Sequence, residues 1–374
     1  MRFEKYPFEK LNDLLATVTP NENFAPLTLT IGEPQFATPQ FIQDELKEAT
    51  PLLNKYPKTA GEPYLKNAVQ GFVKRRFGIE LEENQLVLSF GTRELLFNFP
   101  QFLLADIHAP VMAFSNPFYQ IYEGAAIAAG AKIVYLDLTK ENGFKPQIDD
   151  RLKLADLVII NTPNNPTASV MDLEELKRWV EAALEYDFVL LSDECYSEIY
   201  VDAPPPSLLQ ASVAAGNKNF KNIVAINSLS KRSSAPGLRS GFVAGDADIL
   251  REYQRYRTYV GCAAPLPLQR AAAVAWEDEA HVVENRDRYR KNFKLAHEIL
   301  DAPIPEATFY LWLEVGDDLA FTKRAYEQYN IKVLPGSFLG RGGAGEGYVR
   351  IALVYEETKT KEALERLKEV MHGY

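Results

Sequence analysis

The chain has 374 residues, of which 47% are hydrophobic and 25% charged, with a formal net charge of −10. That length exceeds what one hydrophobic core supports and predicts a large and a small domain, while the acidic balance argues against nucleic acid or an anionic membrane as partner. Two cysteines outside any CxxC pair and four scattered histidines argue against a disulfide framework or a metal centre. The charged N-terminus carries no apolar segment, so a cytoplasmic enzyme is the expectation.

From residue 86 onward, short apolar runs alternate with helical patterns. The expected strands are Leu86–Ser89, Val111–Phe114, Lys132–Leu136, Leu157–Ile160, Phe188–Ser192, Ile223–Asn227 and Gly241–Ala244. They are mostly apolar on both faces, as strands buried between two helical layers are. Asp172–Tyr186 reads as a helix opened by an Asp172/Glu175 capping box. This alternation predicts an α/β fold with a mainly parallel seven-stranded sheet. In such sheets ligands gather at the C-terminal strand ends. A long helical stretch is expected from Ile249 to about Leu300. Then follow an apolar run (Thr308–Val315), a helix (Leu319–Tyr329), a glycine-rich loop (Gly340–Gly347), a strand (Tyr348–Val354) and a last helix (Lys359–His372). These form a smaller α+β domain. The expected division is residues 40–280 for the large domain and 1–39 with 281–374 for the small one.

Polar residues cluster just after the apolar runs. Ser228-Leu-Ser230-Lys231 ends one of them, and a Pro-Gly turn then returns Arg239. A lysine buried at a strand end beside another cation loses proton affinity, as a nucleophilic amine must. Two serine hydroxyls and an arginine suit a phosphate dianion. Asn165 lies in Asn164-Asn165-Pro166-Thr167, Asp193 and Tyr196 follow Phe188–Ser192, and Gly91-Thr92-Arg93 opens a helix whose free N–H groups favour anions. Tyr119 follows another strand, and Arg350 sits in the late strand. The apolar run before Asp193-Glu194 could serve a nucleotide site, but no GxxxxGK[ST] accompanies it. The glycines from Gly340 fit GxGxxG, yet they lie outside any βαβ unit and are read as a loop, with an NAD-dependent oxidoreductase as a remote alternative.

SxSK followed by PGxRxG resembles the cofactor-lysine segment of the class I/II aminotransferases, pyridoxal-phosphate (PLP) enzymes of fold type I. The resemblance implies a fold-type-I architecture and assigns roles. Lys231 would carry PLP as a Schiff base and move the substrate proton. Asp193 would pair with the pyridine nitrogen. Asn165 and Tyr196 would bond the phenolic oxygen, and Tyr119 would stack on the ring. Gly91, Thr92, Arg93, Ser228, Ser230 and Arg239 would hold the phosphate, joined by Tyr56 from a second subunit in a homodimer with shared active sites. Arg350, with Gly32 and Asn165 nearby, would take the substrate α-carboxylate. Strings such as Tyr6–Leu11, NPFYQIYEGAA from Asn116 and SKRSSAPGLRSGFVAGDA from Ser230 are similar to one subgroup, the succinyldiaminopimelate aminotransferases of lysine and diaminopimelate biosynthesis. The implied reaction moves an amino group between glutamate/2-oxoglutarate and N-succinyl-LL-2,6-diaminopimelate. Another transaminase substrate (aspartate, aromatic or alanine) and a PLP-dependent C–S lyase are the alternatives. A second carboxylate on the substrate would require a second cation, with Arg93, Arg232, Arg257 and Arg341 as candidates.

Overall fold

The computed structural model describes residues 3–372. Its central element is a seven-stranded sheet in the order Leu86–Ser89, Gly241–Gly245, Ile223–Ser228, Val189–Asp193, Leu157–Asn161, Val111–Asn116, Lys132–Asp137. All seven expected strands form, most within one or two residues of their expected ends. Only Gly241–Gly245 runs against the others, antiparallel to both of its neighbours.

Side-chain alternation explains why these strands are mostly apolar. Val158 and Ile160 face a helical layer containing Phe72, Trp179 and Trp276. Leu157 and Ile159 face the opposite layer, with Leu95, Phe99, Tyr122 and Tyr253. The inner strands are therefore apolar at most positions, and their polar residues gather at the C-terminal ends. The Asp172 capping box is present: its side chain accepts from Glu175 N, and the Glu175 carboxylate accepts from Asp172 N.

The stretch expected as one long helix is three: Ala247–Val260, Leu266–Glu277 and Ala280–Leu300. The first ends at Gly261, whose φ of 76° is left-handed, and Pro265 then opens the second. A second core gathers Leu27, Leu29 and Phe36 with residues from Tyr289 to Val370. It surrounds an antiparallel sheet in which Tyr348–Ala352 lies between Leu334–Pro335 and Tyr310–Glu314, beside the parallel pair Leu27–Thr28 and Ile331–Lys332.

The topology brings the polar motifs together. Asn161, Asp193 and Ser228 end parallel strands at one edge, with Asn161 in register with Asp193. Because Gly241–Gly245 runs backward, its first residue pairs with Ser89 and with Ser228. Arg239, two residues before that start, thus meets Gly91, two residues after Ser89.

Candidate active site

A cavity of about 720 Å³ opens at this edge, within the range of small-molecule sites. Lys231, Asp193, Tyr196, Asn165, Thr92, Arg93, Tyr119, Ser228, Ser230, Arg239, Gly32 and Arg350 all line it.

One end is a cradle of donors. Gly91 has φ 77° and ψ 156°, a conformation essentially restricted to glycine. A Cβ there would lie 2.1 Å from Arg239 Nη2, so the guanidinium packs against bare backbone. Arg239 is fixed by donating from Nη1 to Pro236 O at 2.9 Å. The Ser228 hydroxyl accepts from Ser230 N at 3.1 Å and donates to Ser230 Oγ at 3.0 Å, capping the short helix Leu229–Arg232 that bears the lysine. Donors, an arginine and a helix start make this end complementary to a phosphate.

Lys231 Nζ donates to the Gly32 carbonyl. Burial lowers its pKa to about 8; Cys195 and Glu33 oppose the shift, and the Arg350 and Arg239 charges add to it. The amine is thereby brought within reach of the neutral, nucleophilic form near physiological pH.

Asp193 is buried, its Oδ2 accepting from the Tyr122 hydroxyl at 2.7 Å and its Oδ1 from Cys195 N at 3.2 Å. Burial pushes its carboxyl up, against the pull of those hydrogen bonds and of Lys231. A buried carboxylate of this kind fits a cationic ring nitrogen. Asn161 steadies both neighbours: its Nδ2 donates to Asp193 O at 2.8 Å, and its Oδ1 accepts from Asn165 N at 2.7 Å.

Arg350 closes the other end. It donates from Nη1 to Asn165 Oδ1 at 2.7 Å and from Nη2 to Thr30 O at 2.6 Å, over the Tyr310 ring at 4.4 Å. Among the described residues its buried Nε has no partner. A guanidinium held on two atoms with a free N–H is prepared for a carboxylate. Gly32 is required beside it, since a Cβ there would meet Tyr310 Oη at 1.8 Å. Tyr310 Oη in turn lies 3.1 Å from Tyr196 Oη. The arrangement fits PLP: cradle, lysine, buried carboxylate and carboxylate-binding arginine face one space.

Three of the four candidate cations for a second carboxylate are held by other partners. Arg232 is buried against Ala275 O, Asp278 O and Glu279; Arg257 pairs with Glu94; Arg341 pairs with Glu123. Only Arg93 of the four lines the cavity, its guanidinium 5.6 Å from the centre of the Tyr6 ring. Tyr56 is not brought to the cavity in a single chain; its side chain is wholly exposed. Four contributors escape sequence reasoning: Tyr6, Tyr122, Asn161 and Tyr310. Of these, Tyr122 carried a usable signal, lying three residues after Tyr119 and so on the same side of a helical turn. The Gly340–Gly347 loop is tied down, with Asn116 bonding both the N–H and the carbonyl of Arg341. Among the described residues no cluster fit for a metal occurs, and no helix is long and apolar enough to cross a membrane.

The model of the class I and II aminotransferases matches residues 26–367. The chain belongs to that family. It is therefore a PLP-dependent transaminase, and its sheet is that of fold type I. It is similar over its whole length to the aminotransferase AspB of Helicobacter pylori, with 50% identity, complete coverage of both chains and a TM-score of 0.98. It is 34% identical to an LL-diaminopimelate aminotransferase of Aquifex aeolicus, over 91% of this chain and 90% of that protein. It is also 31% identical to an aspartate aminotransferase of Pyrococcus abyssi, over 92% and 91%.

Proposed function

We propose that this transaminase moves an amino group between glutamate/2-oxoglutarate and an amino or oxo dicarboxylate, with N-succinyl-LL-2,6-diaminopimelate as the substrate, in lysine and diaminopimelate biosynthesis. The observation that carries the dicarboxylate reading is a pair of arginines on one cavity: Arg350, whose Nε has no partner among the described residues, and Arg93, which lines the cavity beside the Tyr6 ring. The relative from A. aeolicus supports the diaminopimelate skeleton.

Bound PLP supplies the electron-accepting ring that makes a Cα–H bond labile. The residues do the rest. Asp193, held by Tyr122, would keep the ring nitrogen of PLP protonated. Tyr119 would cover the ring, and Asn165 and Tyr196 would donate toward its phenolic oxygen. Gly91, Thr92, Ser228, Ser230 and Arg239 would hold the phosphate. Arg350 takes the α-carboxylate and so orients Cα toward Lys231. With PLP bound, the Lys231 amine would be the group placed to accept the proton from the substrate Cα. Arg93 takes the distal carboxylate.

The same reading makes the enzyme a cytoplasmic homodimer in which Tyr56 completes the neighbouring phosphate site. Its fully exposed ring and the nearly bare Tyr259 support burial by a second copy. The domain division at residues 40–280 is supported by a second apolar core around Tyr310–Glu314 and Tyr348–Ala352, drawn mostly from residues outside that range and joined by Tyr196 and Ile199.

A second reading, an aromatic amino-acid transaminase, draws on Tyr6 and Phe8 at the cavity wall. One experiment separates the two. The purified protein is loaded with PLP, and kcat/KM is measured for N-succinyl-LL-2,6-diaminopimelate, aspartate and phenylalanine with 2-oxoglutarate as acceptor. A clear preference for the acylated dicarboxylate supports the proposal; a preference for phenylalanine overturns it.

A further inference from the structure

Behind the cavity, a second set of hydrogen bonds grips the segment that carries Lys231. Ser233 caps the end of Leu229–Arg232 and has no exposed surface. Its Oγ lies 2.8 Å from His281 Nε2, and His281 Nδ1 lies 2.5 Å from Asp278 Oδ1. Serine, histidine and aspartate follow one another as in a hydrolytic triad. A serine with no accessible surface cannot meet a substrate, so the chain of bonds has a different use. Everything else around it also holds the lysine segment. Arg232 bonds Ala275 O, Asp278 O and Glu279; Asn285 Nδ2 donates to Arg232 O at 3.3 Å; Thr38 Oγ1 donates to Ser234 O at 2.7 Å.

Proton counting shows how the grip depends on His281. With its proton on Nδ1, the neutral imidazole donates to Asp278 and accepts the Ser233 hydroxyl at Nε2. Ser233 Oγ also faces the Arg232 Nη1 donor at 3.5 Å. A second proton, on Nε2, would aim two cationic donors at one hydroxyl oxygen and leave the Ser233 hydrogen without an acceptor. The charged groups facing His281 are Arg232 from the lysine segment, Asp278 and Glu279 from the interhelical turn, and Glu284 and Arg288 from the following helix; Phe41 contributes an uncharged ring edge. Burial holds the imidazole below its ordinary range, with Asp278 acting against it. A cavity of about 300 Å³ bordered by His281 and Asp278 gives solvent protons a route.

We propose that Ser233, His281 and Asp278 form an acid-sensitive latch that positions the Lys231 segment, closed while the imidazole is neutral and opened when it takes a second proton. Ser233 and His281 are positioning residues; the functional consequence rests on the reading of Lys231 given above.

The test uses the full, cofactor-free chain. Amide hydrogen–deuterium exchange of the segment 229–236 is compared at about pH 5 and about pH 8, on either side of an ordinary histidine, after correction for intrinsic exchange. Protection should fall severalfold at the lower pH, because the folded segment holds His281 neutral and the unlatched one does not. His281→Gln, which keeps a donor and an acceptor without titrating, should show equal protection at both. Ser233→Ala should lower protection at pH 8 toward the acid value of the unmodified protein. Unchanged protection in the unmodified protein overturns the latch. So does an intact acid response in His281→Gln, or full protection at pH 8 in Ser233→Ala. PLP uptake, followed by its absorption in the same samples, should fall with protection. Uptake absent at every pH, with the exchange response intact, supports the latch and sinks the Lys231 reading instead.

Discussion

Arg350 Nη1 donates to Asn165 Oδ1 at 2.7 Å, although 185 residues separate the two in the chain. The bond links a residue at the end of the large sheet to the middle strand of the small one. It aims the guanidinium while leaving Nε free. Arg350→Lys removes the planar fork but keeps a charge. The KM for amino donors should rise about tenfold to a hundredfold, the range for losing one or two charge-assisted hydrogen bonds, while the absorption of bound PLP is unchanged. An unaltered KM would place the carboxylate contact elsewhere.

Arg93→Leu separates the two proposed substrate classes. Loss of an exposed-to-partly-buried carboxylate contact should lower kcat/KM for dicarboxylates by about tenfold or more and leave phenylalanine within about threefold. Equal losses on both substrates would assign Arg93 to the cofactor phosphate.

Gly91→Ala forces a side chain onto Arg239 in a backbone region that only glycine occupies readily. Strain of about 1–3 kcal/mol is expected. It should appear as a lower melting temperature of the cofactor-free protein and as weaker PLP binding in equilibrium titration. The same change at Gly78, where a Cβ meets nothing within 4 Å, should leave PLP binding untouched.

Lys231 is expected to govern the pH dependence of cofactor uptake. Attack requires the neutral amine, so the rate of PLP uptake by the cofactor-free protein should rise with pH and level off above about 8. Because the folded pKa lies below the ordinary lysine value of 10.5, the unfolded chain binds more protons between those limits. The contribution of this group to stability should therefore increase as pH rises through that window and be absent below it. Lys231→Ala should abolish turnover and flatten both profiles; substantial residual transamination would falsify the lysine assignment.

Tyr122→Phe removes the hydroxyl that donates to the buried Asp193 carboxylate at 2.7 Å. The loss should cost about 1–3 kcal/mol in stability at neutral pH, and less in acid, where the carboxyl is protonated. Chemical denaturation at two pH values measures the difference.

The sequence by itself determined the seven large-sheet strands, because the inner ones are buried on both faces and read as nearly continuous apolar runs, and the edge strand Lys132–Asp137 keeps an apolar centre. It also determined most of the cavity wall, because SxSK, PGxRxG and the Asn-Pro and Asp-Glu turns sit at strand ends where an α/β sheet opens. Helix boundaries after residue 249 were less legible: the apolar spacing continues across Gly261 and Asp278, and only the turns taken there separate three helices. The choice among four arginines was not legible at all. Arg232, Arg257 and Arg341 are each neutralised by carboxylates or carbonyls distant in sequence, leaving Arg93 on the cavity. Ion pairing across the fold depends on three-dimensional proximity, which residue type and local spacing do not encode. The same holds for Tyr310 against Gly32 and His281 against Ser233, contacts that exist only once the N-terminal segment and the helices after residue 266 have packed around the lysine.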